Sequence, residues 1–165
     1  MSRGFVKEDD LEHAGTDLPE RPISTHPNYV TPAGLQQLNA QAEALDQERV
    51  LYTAKKEDAI AIQKLAMIDR DLRYLSSRIE QAILVSPSSQ AKDTVLFGSH
   101  VLVEDEEGQQ HSFYIVGEDE ADISLNKVSW ASPLAKALIG HKVGESALWK
   151  RPAGNMQLEI IKISY

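Results

Sequence analysis

Between Thr31 and Val85 the chain has no proline after Pro32 and no glycine after Gly34. Its apolar residues return at intervals of three, four and seven. Leu35, Leu38, Ala42, Leu45 and Tyr52 make one such row, and Leu65, Ile68, Leu72, Leu75 and Ile79 make a second. This is the a/d seam of a coiled coil. One unbroken helix of that length would be a rod of roughly 75 Å. Folding back into an antiparallel hairpin instead lets the two seams bury each other, with Leu45 and Leu72 between the helices. The fold-back is expected near Ala54-Lys55-Lys56-Glu57-Asp58, which puts Glu57 and Asp58 at the tip of a projecting rod. Thr31 and Pro32 suit the start of the first helix as N-cap and first helical residue. Tyr29 and Val30 stand where a hydrophobic staple would pack. The first helix should end near Thr53 and the second near Leu84. Thr53 and Asp58 are the candidate caps for the second helix.

After Val95 the period changes to two. Val101 and Val103 begin one strand, Glu106-Glu107-Gly108 a turn, and Ser112–Val116 the return. Short strands follow at Lys127–Trp130 and Ser146–Lys150. A last strand, Leu158–Ile163, is apolar on both faces and so should be central. Ser132-Pro133 repeats the cap-and-proline device and opens a short helix through Leu138, closed by Gly140. These elements make an α+β chain: an N-terminal antiparallel helical hairpin, then an antiparallel β domain of about five strands with one short helix. The expected boundaries are a tail over 1–30, a hairpin over 31–85, a linker over 86–94 and a globular domain over 95–165. The tail is acidic and interrupted by Pro19, Pro22 and Pro27, and reads as disordered or draped on a partner.

Composition narrows the function. The chain has 165 residues, a formal net charge of −8 and no cysteine. Thiol catalysis and disulfides are thereby excluded, and the acidic balance argues against broad binding to naked nucleic acid. No apolar run is long enough to span a bilayer, and a cytoplasmic location is expected. No phosphate-binding loop, dinucleotide fingerprint or nucleophile elbow occurs. His13 and His26 read as solvated. His100 and His111, on opposite arms of the first hairpin of strands, read as surface histidines in reach of each other. The acidic runs Glu104–Glu107 and Glu118–Asp122 lack the ligand spacing of a calcium loop and read as solvated loops.

An ordered set of short motifs adds a family. Phe97-Gly98, Val103-Glu104-Asp105, Ile115-Val116-Gly117-Glu118-Asp119-Glu120-Ala121-Asp122, Val128-Ser129-Trp130-Ala131-Ser132-Pro133-Leu134 and Lys142-Val143-Gly144-Glu145 resemble the C-terminal domain of the Gre (GreA/GreB) transcription elongation factors. Ile68-Asp69-Arg70-Asp71-Leu72-Arg73-Tyr74-Leu75 is similar to the second hairpin helix of the GreB branch. The resemblance implies an FKBP-like globular domain that docks at the rim of the RNA polymerase secondary channel. Ala131, Ser132, Pro133 and Leu134 match the gripping region. It also implies that the hairpin enters the channel; a monomer is expected. There, tip carboxylates help hold a catalytic Mg2+ that is shared with the polymerase for cleavage of backtracked RNA. The factor then has no cofactor of its own and is not itself an enzyme. The acidic-Leu-Ser-Glu-Asn-Ala-Glu-Tyr run of the family's tip is absent here, and the hairpin is shorter. Glu57 and Asp58 match the tip by position and charge alone. Short-hairpin relatives bind polymerase without cleaving RNA. The expectation is therefore a secondary-channel regulator, with transcript cleavage as the alternative. Prolyl isomerase activity, suggested only by an FKBP-like fold, finds few aromatic residues for a proline pocket.

Overall fold

The computed structural model describes residues 18–55 and 57–165. The expected disorder of residues 1–17, and His13 with it, lie outside the described residues. The chain divides into two compact units. One is the hairpin, residues 38–81, joined by residues 18–25. The other combines residues 26–37 with 82–165, so the division falls inside the first helix rather than at residue 31.

The two helices of the hairpin are α1 (Pro32–Thr53), whose first turns belong to the second unit, and α2 (Ala59–Glu80), each of 22 residues. Each is about 33 Å long. The fold-back falls where the two rows of apolar residues require it. Lys55 N–H donates to the Tyr52 carbonyl at 3.0 Å and Asp58 N–H to the Lys55 carbonyl at 3.0 Å. Asp58 caps α2, its side chain accepting from Ile60 N–H at 3.0 Å. Thr53 does not cap: its hydroxyl donates back to the Arg49 carbonyl at 2.7 Å. Ala61, Ile68 and Leu75, seven apart, are buried along the seam, and Leu38 is buried on α1. Leu45 and Leu72, expected inside, are only half-buried. Two helices offer each other one face and leave the edges of the seam to water. The Arg49–Asp69 ion pair at 2.6 Å spans the two helices across one such edge.

In the second unit, the residues before and after the hairpin meet as strands. β1 (Asn28–Val30) pairs in parallel with β2 (Ala82–Leu84). This corrects two expectations: α2 stops at Glu80 instead of running to Leu84, and the end of the tail is a strand. The Thr31 hydroxyl accepts from Gly34 N–H at 2.9 Å, so the predicted cap of α1 is made.

The remaining strands are β3 (His100–Glu104), β4 (Gln110–Val116), β5 (Lys127–Ser129), β6 (Ser146–Trp149) and β7 (Met156–Ser164). α3 covers Pro133–Leu138, with Ser132 as its side-chain cap. The strand order is β5-β4-β3-β7-β6. All neighbours are antiparallel except β4 and β5, which run parallel, so the sheet is mixed rather than wholly antiparallel. The stretch from Gly117 to Asn126 carries the chain back for that parallel pairing. β7 is interior in the sheet as expected, but it is not covered on both faces: Leu158 and Ile160 are buried while Gln157, Glu159 and Lys162 are exposed. Val101, Val103, Ile115, Leu158 and Ile160 meet Val95, Leu134 and Leu138 in one core.

Two acidic stretches expected to be solvated are partly built into this unit. Asp105 is buried; its Oδ1 accepts from Glu107 N–H and Gln109 N–H, both at 2.9 Å. Glu120 is buried and accepts the Thr31 hydroxyl, beside Lys127 Nζ at 3.8 Å. The joint is tight. A Cβ at Gly117 would lie 2.5 Å from the Tyr29 carbonyl oxygen, and one at Gly34 would lie 2.6 Å from Glu120 Oε1. A periodicity argument finds neither carboxylate: the partners of Asp105 lie within six residues in its own turn, and Thr31, the partner of Glu120, lies 89 residues away.

Candidate partner-binding surfaces

At the hairpin tip, Thr53, Ala54, Lys55, Glu57 and Asp58 line an open hollow of about 560 Å³. Glu57 and Asp58 are both exposed. They differ in chemistry. Asp58 Oδ1 is committed to Ile60 N–H, which fixes the carboxylate against the positive end of α2. Glu57 belongs to the turn. Adjacent side chains diverge on a helix, and the turn does not oblige these two to converge. Among the described residues no group of three or more His, Asp or Glu side chains is placed to hold a metal ion. An ion at this tip would take most of its ligands from a partner or from water, as magnesium commonly does.

The second surface lies at the Ser-Pro corner. Ser132 Oγ accepts from Ala135 N–H at 3.2 Å, and Ala131 N–H donates to Ser129 Oγ at 3.1 Å. Pro133 is exposed, while Leu134 is 6% exposed and belongs to the core. Of the four predicted residues, Pro133 thus offers the surface, Ser132 sets the helix start and Leu134 anchors it from below. Beside them opens a groove of about 470 Å³, with walls from Phe113, Ile123, Val128, Pro133, Leu134 and Trp149. Lys150 and Arg151 supply its charge. Ile123 is 85% exposed. Sequence reasoning missed Ile123, Trp149 and Arg151 here, because the sheet brings them together from separate strands and loops. Ile123 in an acidic, polar loop was the one local signal.

The histidines resolve differently from expectation. His100 stacks on Tyr114, ring centroids 4.1 Å apart, and His111 Nε2 lies 2.9 Å from Asp105 Oδ2. They therefore have separate partners. The hydrogen bond with His111 is the main reason that the Asp105 carboxyl is held below its ordinary pKa. The Glu107 and Gln109 amides add to this, and desolvation opposes it. His26 is exposed, yet sits edge-on to the Trp130 ring at 5.6 Å. No helix among the described residues is long and apolar enough to cross a membrane.

A helical hairpin with a capped acidic tip, continued into a curled mixed sheet with an apolar groove beside its short helix, defines a two-module protein with its exposed chemistry on two surfaces. The comparisons specify it further. Residues 90–165 match the model of the C-terminal domain of the transcription elongation factors GreA/GreB. The chain is 34% identical over 153 residues to transcription elongation factor GreB of Neisseria meningitidis serogroup B, covering 84% of this chain and 94% of that protein. It is 43% identical over 106 residues to transcription elongation factor GreA of Pelobacter propionicus, covering 64% of this chain and 67% of that one. A crystal structure of the GreA factor homolog 1 protein of Thermus thermophilus aligns with 85% of this chain and 100% of its own, at 26% identity and a TM-score of 0.41. That superposition is too loose to transfer positions. The chain belongs to the GreA/GreB family of transcription elongation factors.

Proposed function

We propose that this protein binds RNA polymerase and regulates elongation through the secondary channel, in the cytoplasm and without catalysis of its own. The β unit docks at the channel rim through the corner formed by Ala131, Ser132, Pro133 and Leu134. The observation that carries this reading is the apolar groove beside Pro133. An open apolar hollow with exposed Pro133 and Ile123 suits a protein partner. Binding without transcript cleavage is favoured by the tip: Asp58 is spent on capping α2, which leaves Glu57 as the less constrained carboxylate. The cleavage reading keeps one support, the exposure of both carboxylates at the end of the rod. In it they would add ligands to a Mg2+ that the polymerase holds, and such an ion activates water for phosphodiester hydrolysis.

A stalled, backtracked elongation complex tests both readings. The expected outcome is binding of the unmodified protein without faster RNA cleavage. Pro133→Arg should lower the affinity and leave the melting temperature unchanged; an unchanged affinity would remove this corner from the interface. Cleavage above the polymerase's own rate, lost in a Glu57→Ala, Asp58→Ala double variant that still binds, would establish the cleavage reading instead.

A further inference from the structure

The five-stranded sheet has two faces. One carries Val101, Val103, Ile115 and Ile160 into the core with Leu134 and Leu138 of α3. The alternation that buries them sends His100 and Leu102 of β3, Ser112 and Tyr114 of β4, and Lys162 and Ser164 of β7 to the other face. The register sets their places. His100 stands between Tyr114 and Ser164, and Leu102 between Ser112 and Lys162. A bulge makes this possible on β7. Leu102 pairs with Lys162 but Val103 with Ile160, so Ile161 is the extra residue. Without it Ile160 and Lys162, two apart, would share a face.

His100, Leu102, Ser112, Lys162 and Ser164 line a hollow of about 270 Å³ on this outer face. Tyr114 covers one side of the His100 ring, with the two planes within 8° of parallel. On the other side stands the small Ser164, and no second ring meets His100 among the described residues. His100 Nε2 is buried and has no hydrogen-bond partner among those residues. The Ser112 and Ser164 hydroxyls and the exposed Lys162 ammonium likewise make no hydrogen bond or ion pair among them. Glu104, the next residue of β3 on this face, and Glu159 opposite it lie roughly 7 Å beyond the Leu102 row. Neither pairs with Lys162. The polar groups around the hollow thus serve no contact within the fold.

We propose that this hollow binds a nucleotide, with its base stacked on the open side of His100 and its phosphate at Lys162. Neighbouring strands lie about 4.8 Å apart, close to the spacing of stacked rings. A planar ring seated over Ser164 therefore adds one rung to the ladder that Tyr114 and His100 begin. Such stacking accepts any base, since every base has a π-face. Lys162 is two residues from Ser164 on the same face, and its flexible four-carbon stem brings a point charge to the phosphate. Ser112 and Ser164 add hydroxyl donors, and ribose hydroxyls are partners of the kind that His100 Nε2 lacks. A free mononucleotide and one unit of single-stranded RNA share this chemistry. With a net charge of −8 the chain is poorly suited to follow a long phosphate backbone, so the unit recognised is a single nucleotide. The proposal lies outside the Pro133 corner and the hairpin tip and stands without the polymerase reading.

Amide resonances of the isotope-labelled full chain, followed by NMR at constant ionic strength, test it. Titration with 5′-adenosine monophosphate should give saturable shifts at His100, Leu102, Ser112, Lys162 and Ser164. Adenosine and inorganic phosphate should each bind about tenfold more weakly, because each supplies one half of the contact. His100→Leu should weaken the nucleotide about tenfold through the lost stack. Lys162→Gln, at an exposed position that leaves the melting temperature unchanged, should weaken it about fivefold. A four-residue oligoadenylate separates the sources: tighter binding than the mononucleotide assigns RNA, and equal binding assigns the free nucleotide. Inorganic phosphate binding as well as the nucleotide would overturn the proposal. So would the absence of saturable shifts, or shifts that persist undiminished in Lys162→Gln.

Discussion

The β unit and the hairpin bury apolar residues to very different degrees. In the β unit Val95, Val101, Val103, Ile115 and Ile160 show no exposure, because the curled sheet and α3 enclose them from several sides. In the hairpin, Leu45, Leu65 and Leu72 of the same a/d rows stay half-buried, and Ile60 and Met67 face outward. Each unit follows the hydrophobic periodicity of its own elements, a/d spacing in the helices and alternation in the strands. The difference is the number of faces that each architecture can close. A sheet with a helix on it makes an interior, whereas two helices make a seam. A seam leaves the apolar side chains at its edges in contact with water.

The largest effect should come from opening the closed interior. Leu158→Ala removes a side chain that is 1% exposed between β3 and β6. Such truncations cost about 2–5 kcal/mol, and a site enclosed on all sides belongs in the upper part of that range. Calorimetry should show the β unit melting well below its original temperature. In the seam, Ile68→Ala should cost about 2 kcal/mol, the low end of the same range, and Leu72→Ala less, since Leu72 keeps water contact in the folded state. Hydrogen exchange should report faster opening in α1 and α2, with β3 and β7 unchanged. Equal acceleration in both units would mean that they unfold together and that the contrast drawn here is false.

The smallest effect concerns the buried carboxylate of Asp105, whose ionised form is favoured by its hydrogen bonds. Asp105 has its folded pKa depressed, chiefly by His111. A depressed carboxyl stabilises the fold at pH above its unfolded value, about 3.9. That contribution is lost as pH falls through the lower folded value. Below pH 4, amide exchange at Glu107 and Gln109 should therefore accelerate before the hairpin unit responds. In Asp105→Asn this acid dependence should flatten. An identical acid response in the variant would assign it to other carboxylates.

The helices, their fold-back at residues 54–58, the caps Thr31, Asp58 and Ser132, and the change of period near Val95 were legible in the sequence. Each is a local matter: a cap needs an oxygen within three residues, and a seam needs its spacing. The family was legible too, because its motifs are short, ordered and contiguous. What local chemistry does not contain had to come from the tertiary structure. The pairing of β1 with β2 joins residues that lie on either side of the whole hairpin, and no periodicity links Asn28 to Ala82. The parallel run of β4 and β5 depends on how the loop from Gly117 to Asn126 returns, not on the strands themselves. Glu120 looks like any solvated acid until Thr31, 89 residues away, is brought against it. The groove beside Pro133 exists only where Ile123, Trp149 and Arg151 converge. Spacing along a chain sets which way a side chain points; the folded chain alone sets what it meets, because burial and charge pairing are properties of neighbours in space.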